Sequence, residues 1–154
     1  IAVDMNPLKL EFAQQFGATH VVNASDADPV TSIRELTGGR GADYTFEAIG
    51  NATVIRQAYD SARRGGTVTV IGLARPGIDV AIPAAAIPRD EKKLLGSFFG
   101  SARQRVDMPK MFDMYRTGKL KLDELITQTY PIEDAQQAFD DLAAGKNARG
   151  VLIF

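Results

Sequence analysis

Two kinds of segment alternate along this chain. Over roughly its first hundred residues, short apolar runs take turns with single amphipathic helical stretches. Ile1-Ala2-Val3 is uniformly apolar and closes on Asp4, as expected of a strand covered on both faces. Asn6 can cap the next helix and Pro7 suits its first turn. Leu8, Phe12 and Phe16 then recur every four residues and predict a buried stripe. Gly17 ends that helix, and His20 to Asn23 reads as a short strand. A second helix is expected from about Pro29 to Leu36, stopped by Gly38-Gly39-Arg40-Gly41. Asp43 to Ile49 is a third strand closing on Gly50. Asn51 caps a helix with Val54, Ile55, Ala58, Tyr59 and Ala62 inward. Gly65-Gly66 turns the chain into the strand Thr67 to Gly72. Such alternation argues for a parallel sheet with right-handed crossovers. Nothing repeats at a fixed period, which excludes a solenoid.

After Leu73 the rhythm changes. Ala74 to Pro88 holds three prolines and a strand-like piece, Ile78 to Ile82, and Lys93 to Phe99 is another apolar strand. A helix follows with Met108, Met111, Phe112 and Tyr115 on one face, and its Met residues at helical spacing are expected to pack a core. The rest reads as an extended stretch, Ile126 to Pro131, a helix with Ala135, Ala138, Phe139 and Leu142 inward, and a final strand, Gly150 to Phe154. The predicted division is therefore 1–99 and 100–154. Opening on a strand that ends in an acid, with no strand and no glycine-rich turn before it, predicts an α/β fold. In it, a doubly wound parallel sheet of Rossmann type lacks its first strand.

Composition narrows the functional classes. Net charge is −1 and the basic residues are scattered, so a nucleic-acid partner is not expected. No apolar run approaches the roughly 18 residues of a membrane span, and no signal peptide is visible; a cytoplasmic location is the expectation. With no Cys there is neither a disulfide nor a thiolate metal site, and one His cannot build the usual zinc site. His20 is read as structural.

Some residues are candidates for chemistry. A carboxylate at the carboxyl end of the second strand of such a sheet can accept hydrogen bonds from both hydroxyls of an adenosine ribose and repel a 2′-phosphate. Asp4 has that position, which also suits a solvated strand-end Asp. Lys9, on the first turns of the next helix, could reach the same sugar, or be a solvated helix Lys. Gly50 and Gly72 end successive strands where ligands gather; they fit either close approach of a cofactor or a tight turn. Arg149 could neutralise a pyrophosphate, or lie on the surface. Asp26 and Asp28 in a polar loop, and Asp140 and Asp141 on a helix, show no acid–base pairing and read as solvated surface. The Arg63-Arg64 pair reads as the end of a helix, where cations complement its dipole.

Several ordered motifs together carry a family resemblance. Val3-Asp4-Met5-Asn6 to Lys9 and Phe16-Gly17-Ala18-Thr19 resemble a segment of zinc-dependent alcohol dehydrogenases of the medium-chain dehydrogenase/reductase family. So do Gly41-Ala42-Asp43-Tyr44, Phe46-Glu47-Ala48-Ile49-Gly50, Val70-Ile71-Gly72-Leu73, the run Leu95 to Ser101, and the ending Ala148 to Phe154. The resemblance runs the whole length, with the class III-like branch the most similar.

That resemblance implies roles. Asp4 would hold the adenosine ribose of NAD with Lys9 beside it. Ala48, Ile49 and Gly50 would line the cofactor cleft, and Ile71, Gly72 and Leu73 would lie toward the nicotinamide. Backbone groups of Ile71, Ser97 and Phe99 would hold the carboxamide, and Arg149 would contact the pyrophosphate. Residues after about Gly100 would return to a catalytic domain. The strand at 78–82 would join a symmetry mate in a homodimer or tetramer. The family's glycine turn, zinc ligands and proton relay would all precede residue 1. Hence no catalytic or metal-ligating residue is expected here, zinc is expected only in the full-length parent, and the isolated chain should be inactive. The parent would act on a small alcohol or aldehyde. Two alternatives remain open: a non-catalytic nucleotide-binding or assembly module, and a zinc-free quinone or enoyl reductase of the same family.

Overall fold

The computed structural model describes all residues, Ile1 to Phe154. Its contacts form two compact units: residues 1–23 with 103–154, and residues 24–102. The parallel α/β architecture expected from the alternation is present in both.

In the first unit, β1 (Ala2–Asp4) pairs in parallel with β2 (Val21–Asn23), with α1 (Pro7–Gln15) between them in sequence. The Asn6 side chain accepts from the Leu8 N–H at 3.0 Å, and Pro7 opens the helix, where its missing N–H costs nothing. The same unit holds α5 (Gln104–Arg116), then β6 (Ile126–Pro131), α6 (Ala135–Ala143) and β7 (Arg149–Ile153); β6 and β7 are parallel.

The second unit holds α2 (Pro29–Leu36), β3 (Ala42–Glu47), α3 (Ala52–Ser61), β4 (Ala62–Val70), α4 (Ala86–Asp90) and β5 (Lys93–Gly96). Its sheet runs β3-β4-β5, all parallel. Asp28 accepts from the Thr31 N–H at 2.8 Å and caps α2, again with Pro at the first position. It is therefore a cap rather than free surface, and that hydrogen bond holds its carboxyl below the ordinary range. The core is the wedge of α3 and β4: Tyr59, Ala62 and Val68, with Ala58, Ile82 and Ala86 packed on it.

The structure departs from the sequence expectations in three ways. First, β4 begins at Ala62, not Thr67. Opposite two residues of β3 it advances five, so Arg63 to Gly66 form a bulge, and the Arg63-Arg64 pair belongs to that strand rather than to a helix end. Second, residues 78–82 make no strand within the chain. Third, the apolar faces are largely uncovered. α5 and α6 bury no residue; Met108, Met111, Phe112, Phe139 and Leu142 are all exposed, so the Met cluster packs no core. In α1 only Leu10 is buried, and Phe16 is exposed; β1 is not covered on both faces. The chain exposes 10846 Å², where a compact monomer of this mass exposes roughly 7,600 Å². Helical periodicity reports which face seeks cover, not whether the same chain supplies it.

Candidate functional site

The second unit presents its carboxyl edge as three tied loops. Glu47, last residue of β3 and 2% exposed, folds back so that one carboxylate oxygen accepts from the N–H groups of Ile49 (2.9 Å), Gly50 (2.8 Å) and Asn51 (3.4 Å). Its backbone carbonyl accepts from Ile71 at 2.7 Å and Gly72 at 3.1 Å. One residue thus fixes the loops after β3 and β4 against each other. The loop after β5 joins them through the Ser97 N–H, which donates to the Val70 carbonyl at 2.9 Å.

Gly50 and Gly72 are demanded by that closeness. A Cβ on Gly72 would lie 2.0 Å from the Gly50 nitrogen, and one on Gly50 would lie 2.4 Å from the Leu73 carbonyl carbon. Gly50 also has φ +82°, a conformation that side chains rarely adopt. Around these loops Ala48, Ile49, Ile71, Leu73 and Phe99 are exposed, with Leu73 81% and Phe99 78% accessible. The N–H groups of Ile71 and Ser97 are spent inside the fold, while Phe99 and Ser101 hold positive φ in a tight 3₁₀ turn.

In the first unit, Asp4 ends β1 with its side chain exposed; one carboxylate oxygen accepts from the Asn6 N–H at 2.8 Å, leaving the other for incoming donors. Lys9 does not stand free on its helix, because its ammonium donates to the Asn147 carbonyl. The Asn6 amide donates to the Gly145 carbonyl at 3.1 Å. Both contacts anchor the loop that leads into Arg149, which is exposed at the start of β7. Asp4, Lys9 and Arg149, 140 residues apart in sequence between Lys9 and Arg149, are thereby carried on one connected frame.

That frame rests on Asn147, which is 3% exposed. Its amide donates to the Tyr130 hydroxyl at 3.0 Å, and that hydroxyl donates to Asp141 at 2.9 Å. Lys146 reaches the other Asp141 oxygen at 2.8 Å. Hydrogen bonds from Lys146 and Tyr130 hold the Asp141 carboxyl below its ordinary value, and the Asp141 contact raises Lys146; desolvation and then Asp141 raise Tyr130. Asp141 is thus a structural partner, not idle surface. Sequence alone assigns no role to Glu47 or Asn147. The only sequence signal for the first was an acid closing an apolar strand before a glycine, and for the second a polar residue in a loop, which is too common to mark.

His20 is exposed, and its ring bonds only to the Thr19 hydroxyl, at 2.9 Å. No three His, Cys, Asp or Glu side chains converge, so the residues of this chain do not fit a zinc site. No helix is long and apolar enough to cross a membrane.

Comparison with known proteins decides the family. A profile described as zinc-binding dehydrogenase matches residues 1–117. The chain belongs to the zinc-binding dehydrogenase family. Among curated members, it is 39% identical to an alcohol dehydrogenase class-3 of Cereibacter sphaeroides, over all of this chain and 43% of that protein. It is 37% identical to an S-(hydroxymethyl)glutathione dehydrogenase of Haemophilus influenzae, over all of this chain and 41% of that protein. Among solved structures, benzyl alcohol dehydrogenase from Acinetobacter calcoaceticus superposes with a TM-score of 0.92 at 29% identity, covering 98% of this chain and 41% of that one. The chain thus spans about two fifths of the length of these zinc-binding dehydrogenases.

Proposed function

We propose that this chain is the NAD-binding portion of a zinc-type alcohol or aldehyde dehydrogenase, in which a hydride passes between a small alcohol and NAD. Bound NAD would supply the hydride acceptor. Asp4 accepts from the ribose hydroxyls and disfavours a 2′-phosphate, Lys9 stands beside it, and Arg149 offers a guanidinium to the pyrophosphate. Ala48, Ile49 and Gly50 line the cleft, and Ile71, Gly72 and Leu73 flank the nicotinamide. Backbone groups of Ile71, Ser97 and Phe99 take the carboxamide; for Ile71 and Ser97 these are the carbonyls, since their N–H groups are spent.

The observation that carries this reading is the frame joining Asp4, Lys9 and the Arg149 loop through the Lys9–Asn147 and Asn6–Gly145 contacts. It collects an acceptor for a sugar and a cation for a diphosphate, from opposite ends of the sequence, in one unit.

In the complete enzyme the division falls at 99/100, the uncovered faces of α1, α5 and α6 are buried by residues outside this chain, and a strand completes the sheet beside β1. The 78–82 segment pairs with its symmetry mate in a homodimer or tetramer, and the enzyme is cytoplasmic. The zinc and its ligands come from elsewhere in the parent, so this chain alone carries out no alcohol oxidation.

Titration calorimetry of NAD into the complete enzyme tests the assignment. Arg149→Ala should weaken binding by about 2–5 kcal/mol if its charge pair is desolvated in the complex. An unchanged affinity removes Arg149 from the site.

A further inference from the structure

The second unit has a cleft that the cofactor reading leaves unused. It occupies about 560 Å³ and is lined by Arg34, Arg40, Arg63, Arg64 and Lys92, with Asp90 the one carboxylate in its wall. Five of the chain's 18 Lys and Arg residues therefore meet in one place, in a protein of net charge −1. The topology puts the cleft at the amino-terminal ends of the strands: Arg40 precedes β3, Arg63 and Arg64 open β4, and Lys92 precedes β5. Gly50 and Gly72 lie beyond the carboxyl ends of β3 and β4, at the other edge of the same sheet.

The cluster is built rather than incidental. The bulge at Arg63 to Gly66 swells β4 where its two arginines enter the cleft. Lys92 has a side chain only 4% exposed; its ammonium donates to the Tyr59 carbonyl at 2.7 Å and lies 4.5 Å from the Tyr59 ring centroid. Burying a lysine in this way costs desolvation free energy that a surface position would not.

The carboxylates present do not balance the cations. Asp43 is shared by Arg40 (2.6 Å) and Arg63, and Asp90 is shared more loosely by Arg64 (3.5 Å) and Lys92 (3.9 Å). Asp60 is taken by Arg56, and Arg34 donates only to the Asp60 backbone carbonyl. Five cations thus face two carboxylates, and guanidiniums with five N–H donors each have most of them unspent.

We propose that this cleft is a second, separate binding site, for a small phosphorylated ligand carrying two or more negative charges. Its volume suits a small molecule. Arginine forks match phosphate oxygens two at a time, and a multivalent anion would relieve the mutual repulsion of the cluster.

The test is calorimetric titration of the full chain with inorganic pyrophosphate, at low ionic strength and at physiological salt. The variants are Arg40→Gln, Arg64→Gln, Arg149→Ala and Arg103→Gln, with folding checked by circular dichroism. Arg40 and Arg64 side chains are 62% and 76% exposed, so neither substitution disturbs the core. Saturable binding should persist in Arg149→Ala and Arg103→Gln, and weaken roughly tenfold in Arg40→Gln and in Arg64→Gln. Absence of saturable binding, equal weakening in Arg103→Gln, or loss confined to Arg149→Ala would each overturn the proposal. Only the last outcome would leave the cofactor reading strengthened, so the two stand or fall separately.

Discussion

The two units solve the same problem differently. The second closes an apolar wedge within the chain: Val68 is fully buried and Tyr59 and Ala62 nearly so, and Glu47 locks the loops above them. The first buries little beyond Leu10, Val22 and Tyr130, and its frame is held by polar contacts through Asn147, Asp141 and Lys9. Packing positions the loops after β3 and β4; hydrogen bonds position Asp4, Lys9 and the loop leading into Arg149. The difference shows where each part of the proposed site draws its rigidity.

That contrast can be broken most easily at Gly72. Gly72→Ala drives a methyl group into the Gly50 backbone and should cost about 3 kcal/mol, read as a fall in the urea midpoint. A neutral result would mean that the two loops are not locked. Next comes Asn147→Ala, which leaves the Tyr130 hydroxyl short of a donor in a buried setting and should cost about 1–3 kcal/mol by the same measurement. If it costs nothing, the first unit is not held by that network.

Met111→Ala and Phe139→Ala should each stay within about 0.5 kcal/mol in this chain, because these residues are already 46% and 63% exposed. A larger loss would mean that these faces are covered after all. The smallest effect is a pH dependence. Asp141 is depressed below 3.8 by Lys146 and Tyr130, so its contribution is present above that pH and lost as pH falls through the folded value. Lys146 is raised above 10.5 by Asp141, so its share is present below that pH and lost as pH rises through the folded value. The melting-temperature gap between the native chain and Lys146→Gln should therefore be flat between those limits and close outside them.

Much of this was legible in the residues. Asn6-Pro7 and Pro29 announced helix starts because caps and Pro-first turns act within three residues. The strand-end glycines marked the carboxyl edge for the same local reason. What escaped were properties set at a distance. The bulge that recruits Arg63 and Arg64 depends on the register against β3, and the Lys9–Asn147 contact joins residues 138 apart. The uncovered stripes of α5 and α6 depend on neighbours that periodicity cannot supply.

Asp4 is the residue proposed to meet the adenosine sugar of NAD. The most direct measurement is the ratio of kcat/KM for NAD to that for NADP in the complete enzyme, before and after Asp4→Gly. If Asp4 holds that sugar, the ratio should fall roughly tenfold to a hundredfold, as a charged acceptor is lost and the repulsion of a 2′-phosphate is lifted. A ratio that does not move would contradict it.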